Sequence, residues 1–218
     1  MVFWEELAEG DRSAVVAVGR RCAYPTGSML FVEGDEPRLV LVILEGRLKL
    51  TRTAVDGREV LIEFRGPGEL VGELGAVDEV SRSATATVLE PLEAIVIPAT
   101  RFRRLLAERG TVALTVLTMV VGRLRQSAQR RLESGTSDAL DRLCGRLLEL
   151  AEDTEPAADG VVEIPSPLTQ QELAEWIGVS RDAVVIALRQ LRERGWIETG
   201  RRRIRILDIE ALRQAAMS

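Results

Sequence analysis

The hydrophobic pattern of this chain changes period at Pro98, and that change constrains the fold more than any other feature. Upstream lie short runs rich in Val, Ile, Leu and Thr, at 29–33, 39–44, 47–53, 59–64, 84–89 and 92–97. Turn signals separate them: Gly34-Asp35, Glu45-Gly46, Asp56-Gly57 and Gly66-Pro67-Gly68. Asp56-Gly57 predicts a hairpin, because Asp and Gly tolerate the positive φ of a primed turn. Many short strands at regular spacing predict a β-barrel or sandwich and not a βαβ fold. Downstream the pattern is helical. Thr100 is the expected N-cap of a helix to about residue 109. A longer helix is expected over 111–132, where Leu114, Leu117, Val121, Leu124 and Ala128 follow 3-4-3-4 spacing along one stripe. That stripe faces either the protein's own core or a second copy of the chain. Ser134-Gly135-Thr136-Ser137-Asp138 joins a breaker to a new cap and predicts a hinge, with a further amphipathic helix over 139–151.

What the chain lacks narrows its chemistry. With no histidine, it has no Ser-His-Asp triad, no Cys-His pair, no His-ligated haem and no HExxH metal site. Cys22 and Cys144 lie too far apart in sequence to form an iron–sulfur or zinc cluster and are expected to be inert thiols in a reducing compartment. No metal, haem or iron–sulfur cofactor is therefore expected. The N-terminal MVFWEELAEGD is acidic and has no signal-peptide layout, and the apolar stretch 112–121 is too short to span a bilayer. A cytoplasmic protein with no membrane partner is expected.

Charge divides along the chain. Between Arg181 and Arg205 eight arginines face three carboxylates, a surplus of five, while the formal net charge of the whole is −5. The remainder thus carries −10. A local basic patch on an acidic body points to an anionic partner, nucleic acid first.

The same region carries the most specific motif. Thr169 caps a helix over 170–177, and Glu172, three residues on, completes a capping box. Gly178-Val179-Ser180 forms a turn, Ser180 caps a second helix over 181–194, and Gly195 ends it. Two short strands, 196–198 and 203–207, follow around a Gly200-Arg201-Arg202 tip. Helix, glycine turn, helix and basic hairpin make the layout of a winged helix-turn-helix, whose second helix enters the major groove. Leu173, Ala174, Ile177, Val179, Val184, Leu188 and Leu191 are the expected core of this unit. Arg181 and Asp182 occupy the end that reaches base edges. Arg189, Arg192, Arg201 and Arg202 are placed for phosphates.

A second motif lies among the strands. Gly68-Glu69-Leu70-Val71-Gly72-Glu73-Leu74 lets backbone N–H groups approach an anion, and a short helix from about Glu73 would point its N-terminus at it. Arg82, in Arg82-Ser83-Ala84, supplies a guanidinium fork for a phosphate. Glu73 is a candidate acceptor for ribose hydroxyls.

With both motifs in place and in this order, the chain resembles the CRP/FNR family of bacterial transcription regulators over nearly its full length. The matching segments are Val71-Gly72-Glu73-Leu74-Gly75, Arg82-Ser83-Ala84 and Leu173-Ala174-Glu175-Trp176-Ile177-Gly178-Val179-Ser180-Arg181. The resemblance implies an α+β chain. Residues 1–110 would form a cyclic-nucleotide-binding β-roll (a double-stranded β-helix), 111–136 a dimerisation helix and hinge, and 137–218 a winged helix-turn-helix. It implies cyclic AMP as an allosteric ligand held by Gly72, Glu73, Leu74, Arg82, Ser83, Arg123 and Ser127. It also implies double-stranded DNA with a palindromic operator, contacted through Thr169, Gln170, Gln171, Ser180, Arg181, Asp182, Ile186, Arg189, Arg201 and Arg202. A homodimer through the leucine stripe and contact with RNA polymerase complete the expected partners.

The departures bear on ligand and operator. Ala128 stands where cyclic-AMP-binding members carry a second hydroxyl, which leaves cyclic GMP, another ligand or ligand-independent binding as alternatives. Ile186 stands where an arginine is usual, so an identical operator is not expected. The missing histidines and cysteine cluster remove the haem-sensing and iron–sulfur branches. An enzyme is disfavoured, since the residues after Asp138 contain no nucleophile–base pair, metal cluster or P-loop. An adaptor with a degenerate winged helix is the remaining alternative.

Overall fold

A computed structural model describes residues 2–54, 57, 59–133, 138–152, 154, 157, 160–165, 169–200 and 203–216, excluding the side chains of 126, 128–133, 152 and 165. The hinge at 134–137, the arginines at 201 and 202, Asp56, Asp159 and the Ala128 side chain lie outside that description. Two compact units are present, Met1–Ser127 and Ala128–Ser218.

The first unit begins with two short helices, α1 (Phe3–Glu6) and α2 (Glu9–Val18). Eight strands follow: β1 (Arg20–Tyr24), β2 (Met29–Phe31), β3 (Leu39–Glu45), β4 (Leu48–Thr53), β5 (Glu59–Arg65), β6 (Leu70–Val71), β7 (Thr85–Val88) and β8 (Leu92–Pro98). Helix α3 (Glu73–Asp78) interrupts them, and α4 (Ala99–Glu108) and α5 (Gly110–Glu133) close the unit. All pairings are antiparallel, in two four-stranded sheets ordered β1-β8-β3-β6 and β2-β7-β4-β5. β4 and β5 form an antiparallel pair on either side of the expected turn, with Gly57 at φ +83°.

The near-continuous apolar run in β3 has a direct cause: both of its faces are covered. Leu41 and Ile43 point between the sheets, with Leu48, Val71, Ala86, Val88, Leu92, Ala94 and Val96. Val40 and Val42, one residue out of phase, pack with Ile95 and Ile97 of β8 against Phe3, Val15, Phe102, Leu105, Val112, Val116 and Met119 of the helices. Each such side chain contributes about 1.5–3 kcal/mol by leaving water.

Helix α4 begins at Ala99, with Pro98 as N-cap, and not after Thr100. The Ala99 N–H, a first-turn donor with no partner inside the helix, donates to Arg38 O at 2.9 Å. No single described helix is long and apolar enough to cross a membrane, although α4 and residues 110–125 of α5, bent by 111°, pass that test together. Ala99, Phe102 and Leu105 of α4 and Val112, Val116 and Met119 of α5 are buried in the core.

The long helix α5 resolves the ambiguity of its own stripe. Val112, Val116 and Met119 are the core-facing positions, whereas Leu114, Leu117 and Leu124 are 63%, 58% and 69% exposed. Val121 is half-buried.

The second unit comprises α6 (Ala139–Glu152), β9 (Val162–Pro165), α7 (Gln170–Ile177), α8 (Arg181–Glu193), β10 (Ile197–Gly200), β11 (Arg203–Ile206) and α9 (Ile209–Ala216). Its sheet has the order β10-β11-β9, so the sequence-derived hairpin gains a third strand. Leu143, Leu147, Leu173, Val184, Leu188, Leu191, Ile204 and Leu212 form the core. Cys144 is buried there, and burial pushes its thiol up to about 12, which leaves it unreactive.

Candidate functional site

The Gly68–Leu74 motif leaves β5, forms β6 and turns into α3 through Gly72, which sits at φ +82°. The left-handed conformation suits glycine. Close approach is a second reason: a Cβ at this position would lie 2.5 Å from Arg82 Nη1. Arg82 is only 4% exposed. Its Nη1 donates to Gly72 O at 2.8 Å and its Nη2 to Leu39 O, while the guanidinium lies 4.1 Å from the centre of the Phe31 ring. Two main-chain bonds fix it further: Arg82 N–H donates to Asp35 O (2.8 Å) and Gly34 N–H donates to Arg82 O (2.9 Å). Burial lowers the Arg82 pKa, opposed by the charges of Glu73 and Asp35. The buried Arg82 Nε makes no hydrogen bond. A desolvated cation with an unsatisfied donor fits an anionic ligand.

Glu73 is equally buried, and its Oε1 accepts from Arg123 Nη1 of α5 at 2.6 Å. The structure therefore brings Gly72, Glu73, Arg82 and Arg123 together, with Glu73 between the two guanidiniums in charge. Leu74 is half-exposed and Ser83 is exposed, both beside that group in sequence, and Ser127 lies half-buried on α5.

In the second unit the helix-turn-helix forms as the capping residues require. Glu172 N–H donates to Thr169 Oγ1 (3.2 Å) and Thr169 N–H donates to Glu172 Oε2 (2.8 Å). Gly178 ends α7 at φ +72°, and the Ser180 hydroxyl accepts from Ala183 N–H at 3.2 Å. These caps fix where α8 starts. Its outer face then presents Arg181, Asp182, Ile186 (58% exposed) and Arg189 to solvent. Gln170 and Gln171 are exposed at the start of α7, and Gln171 Nε2 donates to Glu175 at 2.8 Å. Arg189 pairs with Glu193 (2.7 Å) and Arg205 with Glu198 (2.6 Å). Arg192 Nη1 donates to Thr199 Oγ1 at 3.2 Å and so ties α8 to β10.

Both halves match family models, a cyclic nucleotide-binding domain over residues 21–109 and a Crp-like helix-turn-helix domain over 141–215. A CRP-like cAMP-activated global transcriptional regulator of Mycobacterium tuberculosis is 30% identical over 209 residues, covering 94% of this chain and 93% of that protein. The chain belongs to the CRP/FNR family of transcription regulators. The cyclic AMP receptor protein of Thermus thermophilus is 28% identical, over 96% of this chain and 94% of that protein. Among solved structures, the Thermus thermophilus catabolite activator protein is similar with a TM-score of 0.56 at 26% identity, covering 99% and 98% of the two chains. FixK2 from Bradyrhizobium japonicum shares the CRP/FNR fold with a TM-score of 0.78 at 20% identity, covering 91% and 97%. As a CRP/FNR protein, the chain is a DNA-binding regulator that senses a cyclic nucleotide.

Phe31 and Arg65, beside the group of Gly72, Glu73, Arg82 and Arg123, have no role in the sequence reading, and Glu69 enters it only as part of the glycine motif. Phe31, at the end of β2, stacks on Arg82, which lies in the loop before β7. Arg65 and Glu69 form a buried ion pair (3.3 Å) directly behind Arg123. Arg and Glu at i, i+4 beside a turn look like ordinary solvated charge, so nothing local marks them.

Proposed function

We propose that this chain is a cytoplasmic homodimer whose affinity for a palindromic operator is set by cyclic AMP held at Gly72, Glu73, Leu74, Arg82, Ser83, Arg123 and Ser127. The observation that carries the ligand reading is Arg82, a buried cation with an unsatisfied Nε, packed against a glycine where any Cβ would lie 2.5 Å from its Nη1. Cyclic AMP supplies the anion and the ribose hydroxyls. Arg82 neutralises the phosphate, and Glu73, held by Arg123, accepts from the ribose. Because Arg123 and Ser127 stand on α5, occupancy is transmitted to the helix that precedes the DNA-binding unit. Such control requires the ligand to prefer one of two states.

The exposed leucines Leu114, Leu117 and Leu124 support pairing of α5 with a second copy, joined by Val121 and Ala128. Two recognition helices would then meet half-sites about 34 Å apart. Arg181, uncrowded at the start of α8, is placed to read a base. Thr169, Gln170, Gln171, Ser180, Asp182, Ile186, Arg189, Arg201 and Arg202 complete the DNA surface. The chain acts by binding and not by catalysis.

The test is a thermal melt with and without cyclic AMP, followed by calorimetric titration of cyclic AMP and cyclic GMP. Cyclic AMP at about 100 times its Kd should stabilise by about 2.7 kcal/mol. A structurally similar regulator from Xanthomonas campestris is c-di-GMP responsive, with a TM-score of 0.76 at 20% identity. The fold therefore does not choose the nucleotide, and an unchanged melting curve with cyclic AMP would overturn this assignment.

A further inference from the structure

Arg123 is the charged residue that α5 contributes to the candidate pocket, and its guanidinium is gripped at both ends. Nη1 donates to Glu73 Oε1 at 2.6 Å, while Nη2 donates to Leu70 O at 3.1 Å and lies 3.5 Å from Glu69 Oε1. Glu69 is held from the far side. Its Oε1 lies 3.3 Å from Arg65 Nη1, and its Oε2 accepts the Gly66 N–H at 2.8 Å. Arg65 is in turn paired with Glu63 at 2.6 Å. The row Glu63–Arg65–Glu69–Arg123–Glu73 alternates in sign, and it runs from β5, through the turn before β6, to α5 and α3.

Removing one charge from a buried row leaves its neighbours uncompensated. Arg65 and Arg123 are like charges that both approach Glu69 Oε1, so without that carboxylate they repel. The Arg65 side chain is 6% exposed and the Arg123 side chain 22%, which makes Arg123 the one with room to move. Burial raises the Glu69 pKa, opposed first by Arg65, then by the Gly66 N–H and Arg123. The carboxylate therefore depends on both arginines.

We propose that Glu69, backed by Arg65, is a positioning residue that holds Arg123 against Glu73 and so keeps the pocket carboxylate tied to α5. Glu69 acts through Arg123 and touches no ligand itself. The proposal rests on the cyclic AMP reading above.

The test is a double-mutant cycle on cyclic AMP affinity, measured by calorimetry on the full-length protein with E69Q, R123Q and E69Q/R123Q. Melting curves check the folding of each variant. R123K replaces R123Q if the latter binds too weakly to titrate. E69Q should weaken cyclic AMP binding on the order of tenfold, and should have no further effect once Arg123 is replaced. An equal loss in both backgrounds, or no loss in the first, overturns the proposal and leaves the ligand reading intact. A wild-type protein that binds no cyclic AMP overturns both. If E69Q does not fold, E69D enters the same cycle under the same criterion, because it keeps the charge and shortens its reach.

Discussion

The two units use arginine in opposite ways. In the first, Arg65 and Arg82 are about as buried as the leucines around them, and their Nη groups donate to carbonyls and carboxylates inside the protein while both Nε groups stay unpartnered. In the second, Arg189 and Arg205 pair with Glu193 and Glu198 at the surface. Burial makes a pair costly to break, since the surviving charge has no water to turn to. Exposure makes it cheap, with exposed pairs worth about 0–1 kcal/mol. On the proposed DNA surface, phosphates would therefore displace the carboxylates paired with Arg189 and Arg205 at little cost, whereas Arg65 and Arg82 are held in place by burial.

The comparison breaks most visibly at Arg82. Arg82→Ala should abolish cyclic AMP binding and destabilise the first unit by on the order of 3 kcal/mol, since it strips a buried network of its cation. Calorimetry and urea unfolding read the two effects, and retained affinity would remove Arg82 from the pocket. Gly72→Ala should cost about 1–3 kcal/mol of stability from backbone strain, and more from displacing Arg82. A melting temperature equal to that of the wild type would show that the close approach is not obligatory.

The surface side of the comparison is read on DNA. Arg181→Ala should cost about 1–3 kcal/mol on the operator and relax specificity at one base pair. An equal loss on random DNA in a gel-shift competition would make Arg181 a phosphate contact. Arg189→Ala should leave stability within about 0.5 kcal/mol. Its effect should appear as a salt-dependence slope of DNA affinity lower by about 1. A large melting shift for this variant would mean that its pairing with Glu193 is structural after all.

Local rules made much of this protein legible. The capping box at Thr169–Glu172, the Gly178 turn and the Ser180 cap are contacts within a few residues, so α7 begins and ends where the spacing places it. The β4–β5 pairing that Asp56-Gly57 predicted is local in the same way. Strands β1 and β6 were less legible: β1 opens on two exposed arginines and β6 is two residues long, so neither carries the apolar run that marked the others. Thr100 looked like a cap because the sequence does not reveal that Arg38 O, sixty residues away, already satisfies the Ala99 N–H.

By itself the sequence determined the change of architecture at Pro98, the helix-turn-helix and the glycine–arginine pair at 72 and 82, because periodicity, caps and turn residues act over short distances. The tertiary structure alone decided which stripe of α5 is core, that Arg82 is enclosed by Gly72, Leu39 and Phe31, and that Glu69 stands between two arginines. Those are meetings of residues from separate strands and helices. Their energetics depend on burial, which no residue's neighbours in sequence can set.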